Sequence, residues 1–272
     1  MIKVIDVDVL FDAYISDYVY KNIGKVKPEE IENKIPELYV QFGNEKLAEL
    51  DGMTPTEYYK SFTGDELLAC LKEHLTSGVA VSDFLCEAIT GNKGNEDALI
   101  KAISQDTFEE FTLYVMNMLF EISSTKCAKR YLEFIAWDYS EPIKELATEH
   151  LVTMAESVKE QVLALYAEST EKVQEYLTEI LANCKNDDRI FDILIANFVK
   201  HGDNVPLYAG YLAKYGDERA LPFLMAEIER EKLSYADFEE LRFAIEALGG
   251  EYNKVRDFTS DKSYKKIKRV KN

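Results

Sequence analysis

Gly216-Asp217-Glu218-Arg219-Ala220 decides the fold, because related phrases stand at Gly64-Asp65-Glu66-Leu67-Leu68 and at Gly94-Asn95-Glu96-Asp97-Ala98. Weaker copies fill the interval: Ser124-Thr125-Lys126-Cys127-Ala128, Met154-Ala155-Glu156-Ser157-Val158 and Asn186-Asp187-Asp188-Arg189-Ile190. The last position of the phrase falls at residues 68, 98, 128, 158, 190 and 220. Self-similarity at a fixed period of about thirty residues is the signature of a repeat array with one pair of helices per repeat.

Each copy reads as a helix boundary. The Gly supplies a left-handed residue that ends one helix, the Asp or Asn caps the next, and the Glu sits in a first turn that favours an anion. Apolar residues then recur at helical spacing, as at Ile190, Ile193, Leu194 and Phe198, and at Ala220, Leu221, Leu224 and Ile228. Second helix starts lie midway: Ser234 with Asp237 and Thr107 with Glu110 have the capping-box pattern, and Asp203-Asn204 precedes Pro206. Residues 108–120 are apolar on almost every side, which predicts a helix packed on both flanks.

These signals predict an all-α chain with six helix pairs over residues 64–250. Residues 1–63 are helical but off period, with helices near 8–22 and 28–42 and a strong start at Thr54-Pro55-Thr56-Glu57. They are read as a divergent N-terminal cap on a single continuous array, and residues 251–272 as a frayed basic tail. Strands are expected to be absent or confined to the extreme N-terminus.

The stretch Gly216-Asp217-Glu218-Arg219-Ala220-Leu221-Pro222-Phe223-Leu224 resembles the opening of a short HEAT repeat of the phycobilisome-lyase type. The match is close in this repeat and partial at residues 186–194, which lack both the Gly and the Pro. Elsewhere it rests on spacing and apolar pattern across residues 64–250. The resemblance implies a right-handed α-solenoid, and most such proteins are scaffolds or binding modules.

Charge narrows the partners. The chain carries 32 Lys and Arg against 50 Asp and Glu, a net charge of −18. Lys262, Lys265, Lys266, Lys268, Arg269 and Lys271 gather at the C-terminus, so the body before them is more acidic still, near −23. Such a body repels phosphate backbones and anionic membranes, and a cationic protein or peptide is the favoured partner. Acids interrupt the opening segment MIKVIDVDVLFDAY and no run of eighteen apolar residues occurs, so a cytoplasmic protein with neither export signal nor membrane span is expected. Cys70, Cys86, Cys127 and Cys184 lie far apart and read as separate reduced thiols.

No residue set points to catalysis. The Asp/Asn-Glu pairs recur in repeat after repeat, whereas catalysis needs one site, so they read as caps, with Arg189 and Arg219 bridging to acids of neighbouring repeats. His74 and His201 fall in last helical turns and His150 reads as mid-helix; none has metal-ligand spacing, and no phosphate-binding glycine loop or nucleophile motif is present. No catalytic, cofactor or metal residue is therefore assigned.

Trp137-Asp138-Tyr139 is the one local cluster with an enzymatic reading. Some HEAT-like alkylpurine DNA glycosylases use an aromatic and an aspartate, but Trp137 is read as a packing anchor. Tyr208, Tyr211 and Tyr215 share one face of a second helix. They either line a concave surface for a Lys/Arg-rich partner or pack between repeats. The basic tail has three readings: a solvated terminus, a segment folded back on the body, or an anion-binding arm. The leading expectation is a non-catalytic protein-binding scaffold; the alternative is a HEAT-like enzyme, either a chromophore lyase or a DNA glycosylase relative.

Overall fold

The structure is a computed structural model that describes residues 2–23, 28–105, 107–262 and 264–266. Among these residues it is all-α, with sixteen α-helices, three short 3-10 turns and one isolated bridge between Leu47 and Met53 in place of any strand. The chain divides into two compact units, Met1–Arg130 and Tyr131–Asn272. The first holds α1 (Val7–Lys21), α2 (Pro28–Glu32), α3 (Ile35–Phe42), α4 (Pro55–Lys60), α5 (Gly64–Ser77), α6 (Asp83–Thr90), α7 (Glu96–Gln105) and α8 (Glu109–Glu121). The division falls inside α9 (Ala128–Ala136), and the second unit continues with α10 (Glu141–Thr153), α11 (Ala155–Glu168), α12 (Glu171–Leu181), α13 (Asp188–Lys200), α14 (Val205–Tyr215), α15 (Leu221–Ile228) and α16 (Tyr235–Ala247).

From α5 onward the helices fall into six pairs, and within each unit they pack against neighbours in chain order. This is the local arrangement of an α-solenoid. In the second unit the core is a continuous seam of inward faces: Val158 and Val162 on α11, Leu177 and Leu181 on α12, Ile190 and Leu194 on α13, Leu212 on α14, Leu224 on α15, and Leu241 and Ile245 on α16, all buried. Each such side chain contributes roughly 1.5–3 kcal/mol through its burial.

Caps explain where the helices begin. Thr54 and Thr63 close reciprocal capping boxes with Glu57 and Glu66, and Ser234 accepts from the Asp237 amide. Thr107 does not cap α8: the N-cap is Phe108, one residue further on, with no side-chain bond. The flanks of α8 also differ from expectation, because Tyr114 and Phe120 are exposed while Phe111, Val115, Met116 and Leu119 are buried.

The recurring phrase serves different local purposes. At Gly216 the expected boundary forms: φ is 82°, α14 ends, and the Asp217 carboxylate accepts from the Arg219 amide. Asn186 takes the same left-handed role at φ 56°, with Asp187 capping α13. Asn tolerates this region better than most side chains because its short amide can bond locally. Gly64 instead lies inside the first turn of α5, behind the Thr63 cap, and ends no helix. It is small because a Cβ there would stand 2.5 Å from Asn95 Oδ1. Asn95 cannot yield, since its amide donates to the carbonyls of Ala88 and Ile89 at the end of α6. Gly94 sits within a 3-10 turn capped by Asn92. The segment after α16 is also better anchored than a frayed tail: Arg256 donates to the carbonyls of Ile228 and Arg230, and Phe258 packs on Phe238 at 5.0 Å. Residues 263 and 267–272 lie outside the described residues.

His150 lies in the last turn of α10, not mid-helix, and is buried beside Tyr131. Burial pushes its pKa down to about 4, because the charged imidazolium loses its hydration.

Two outcomes test this account. Gly64→Ala should cost ~1–3 kcal/mol in denaturant unfolding, and less in an Asn95→Gly background, where the obstructing amide is gone. Since the folded pKa of His150 lies below its unfolded value, its contribution is complete above about pH 6.5 and lost as pH falls toward 4. Over that window the wild type should lose up to about 3 kcal/mol more than His150→Leu in parallel melts.

Candidate functional site

Several acids at helix starts tie successive repeats together. In the first unit Lys101 reaches Asp65 at 3.3 Å, and Lys126 reaches Glu96 at 2.6 Å and Asp97 at 3.1 Å. In the second unit Arg189 forms a two-pronged bond with Glu160 at 2.7 and 3.1 Å, and Arg219 reaches Asp188 at 2.8 Å. Arg189 and Arg219 thus bridge to neighbouring repeats as their positions predict. Lys172 pairs with Glu141, and Lys200 with Glu171, each at 2.6 Å. Exposed pairs of this kind contribute only ~0.2–1 kcal/mol each, so they set register more than stability.

The bodies of α10 and α12 behave differently. Glu145 and Glu149 stand on the exposed face of α10, and Glu175 and Glu179 continue the corresponding row on α12. Four-residue spacing stacks them along one side of each helix. Among the described residues none of these four carboxylates has a Lys or Arg partner.

Phenols join the two rows. The Tyr176 hydroxyl on α12 donates to the Glu141 carboxylate. Burial, that hydrogen bond and the negative charges of Glu141, Glu145 and Glu175 raise its pKa. Tyr211 on α14 is half-buried, and its pKa is raised by burial and then by Glu179, Tyr208 and Glu175. The carboxylates of α10 and α12 therefore lie near enough to act on phenols of α12 and α14, which makes one acidic surface with aromatic patches. Such a surface can accept hydrogen bonds from guanidinium or ammonium groups and stack their flat faces on the rings.

The tyrosine trio divides. Tyr208 is buried, its ring stacked on His201 with centroids 4.9 Å apart. Tyr215 is buried too; its hydroxyl accepts from the Asp187 amide at 2.9 Å and donates to the Asp187 carbonyl at 2.8 Å. Both rings pack between helices; burial first, and then Glu175 and Glu171 among its charged neighbours, raise the Tyr208 pKa, but of the three rings Tyr211 is the one that is not buried. Trp137 departs from its reading as a packing anchor, being 57% exposed in the turn before α10. Its neighbour Asp138 helps to raise the pKa of Lys172, after the larger effect of Glu141, which puts this turn beside the start of α12.

Sequence reasoning passed over the rows themselves. Their signal was available: Glu141, Glu145 and Glu149, then Glu171, Glu175 and Glu179, repeat at four-residue spacing in adjacent second helices. The thiols of Cys70, Cys86 and Cys184 are each pushed up to about 11, with burial the largest cause, which suits packing rather than nucleophilic work. Comparisons with protein-family models, with curated proteins and with solved structures each returned no match.

The division of the tyrosines is testable in melts. Tyr215→Phe should destabilise by ~1 kcal/mol because it leaves the part-buried Asp187 amide without its partner, while the Asp187 carbonyl keeps the amides of Ile190 and Phe191. Tyr211→Phe, made at the half-buried ring, should change stability by no more than about 0.5 kcal/mol.

Proposed function

We propose that this chain is a non-catalytic scaffold of HEAT-like repeats that binds a Lys/Arg-rich protein segment along α10 and α12. One observation carries the reading: Glu141 and Glu171 at the starts of these two helices are paired with cations of the next repeat, while among the described residues Glu145, Glu149, Glu175 and Glu179 form no ion pair. Like charges at four-residue spacing cost a helix a few tenths of a kcal/mol per pair. A row that bears this cost in adjacent helices has a use for the charge, and a cationic ligand relieves the repulsion on binding.

The surroundings suit the same partner. Exposed Trp137 and half-buried Tyr176 and Tyr211 offer ring faces to guanidinium groups beside the carboxylates. The net charge of −18 speeds the approach of a cationic segment at low salt. The same field repels nucleic acid, so the glycosylase reading of Trp137 and Asp138 gains no support. Four free cysteines fit a reducing compartment, and we place the protein in the cytoplasm. No helix among the described residues is long and apolar enough to cross a membrane.

Titration with a nona-arginine peptide tests the reading. The wild type should bind with an affinity that falls steeply as salt rises. Changing Glu145, Glu149, Glu175 and Glu179 together to Gln should weaken binding at least tenfold, equivalent to about 1.4 kcal/mol. Changing Glu29, Glu30, Glu32 and Glu37 to Gln removes the same charge elsewhere and should have a much smaller effect. Equal losses in the two variants would reduce the binding to net charge and overturn the proposal.

A further inference from the structure

Helix α1 is apolar on two opposite faces. One face packs on α3: Val7 is buried, Phe11 meets Tyr39 and Phe42 with ring centroids 4.9 and 5.3 Å apart, and Tyr14 meets Phe42 at 5.6 Å. The other face looks out to solvent. Val9, Ala13, Ser16 and Tyr20 are all exposed there, Val9 by 58% and Tyr20 by 77%. Their spacing of four, three and four residues keeps them in one strip along the helix. A helix with apolar residues on opposite sides is built to lie between two partners, and among the described residues the outer strip is uncovered.

The order of the strip identifies the second partner. Val9, Ala13, Ser16 and Tyr20 read large, small, small, large, so the strip presents the same profile from either end. Two copies laid antiparallel therefore fit each other. Tyr20 lies across the partner's Val9, and Ala13 across the partner's Ser16, where small side chains let the helix axes approach closely. Mutual pairing of this kind is the condition for an isologous two-fold interface.

The charges run the same way. Asp6, Asp8 and Asp12 stand towards the N-terminal end of α1. Towards the other end Asp17 is held by Lys21 at 2.5 Å, and Lys34 stands 3.4 Å from the Tyr18 hydroxyl. An antiparallel pair sets the acidic end of one chain beside the neutralised, basic end of the other, whereas a parallel pair stacks acid on acid.

We propose that the outer strip of α1 is the contact surface of a homodimer, formed with a second copy of this chain in antiparallel register. The fifteen residues of α1 span only about 22 Å, so the contact falls at the small end of specific interfaces and the dimer dissociates readily. The charge of −18 on each chain opposes the approach, and salt screens that repulsion. This inference is independent of the surface on α10 and α12.

Sedimentation of the full chain at about 0.5 M salt should show a dimer fraction that grows with protein concentration. Ala13→Glu combined with Ser16→Glu alters two exposed positions, should leave the thermal melt nearly unchanged, and should weaken dimerisation at least about tenfold. For the register, a short bis-maleimide should join Ala13→Cys chains to Ser16→Cys chains more efficiently than it joins either variant to itself. A chain that remains monomeric up to about 1 mM overturns the proposal. A dimer that survives the paired glutamates overturns it too, as do cross-links that favour like positions, the mark of a parallel pair.

Discussion

Asp187 is the residue at which the repeats of the second unit are locked together. Its carboxylate caps α13 and holds the Arg189 side chain, which in turn grips Glu160 on α11. Its backbone is clasped on both polar groups by the Tyr215 hydroxyl from the end of α14. Arg189 keeps the carboxyl well below its ordinary range, at about 2, so the charge persists under any physiological condition. Three helices from two repeats meet at one side chain and one peptide. Hydrophobic burial supplies most of the energy, but apolar contact is non-directional and would allow the helices to slip. The polar lock supplies the register.

That lock also gives the acidic composition its meaning. Carboxylates at helix starts satisfy amides, oppose the dipole and recruit the next repeat's cations. Arg219 illustrates the economy of the arrangement, since it bonds Asp217 and Asp188 and lies over the Phe191 ring at 4.2 Å. Acids with such partners are architecture. Among the described residues Glu145, Glu149, Glu175 and Glu179 in the bodies of α10 and α12 form no ion pair, and the contrast with the paired starts of the same helices separates surface from scaffold.

Much of the fold was legible in the chain because helix boundaries and helix faces are local matters. Periodic apolar residues and caps located all six pairs after residue 63, and Thr54, Ser234 and Gly216 act as their sequence context indicates. The misreadings share a cause. Gly64 looked like a helix terminator, yet its smallness answers to Asn95, thirty-one residues away, and no local rule registers that distance. Thr107 lost its capping role to Phe108 although the motif was intact. Trp137, large and apolar, was expected inside and stands outside because its helix ends there, before the chain turns into α10.

The candidate surface shows the same limit. Helical spacing by itself determined that Tyr208, Tyr211 and Tyr215 share one side of α14, and that glutamates align on α10 and α12. Only the packing of the neighbouring helices decided that two of those rings are buried, one is half-buried, and the glutamate rows remain open. Periodicity is a property of one helix and is written in its own residues. Exposure depends on which other helix lies across each face, and that is set by contacts between residues far apart in the chain.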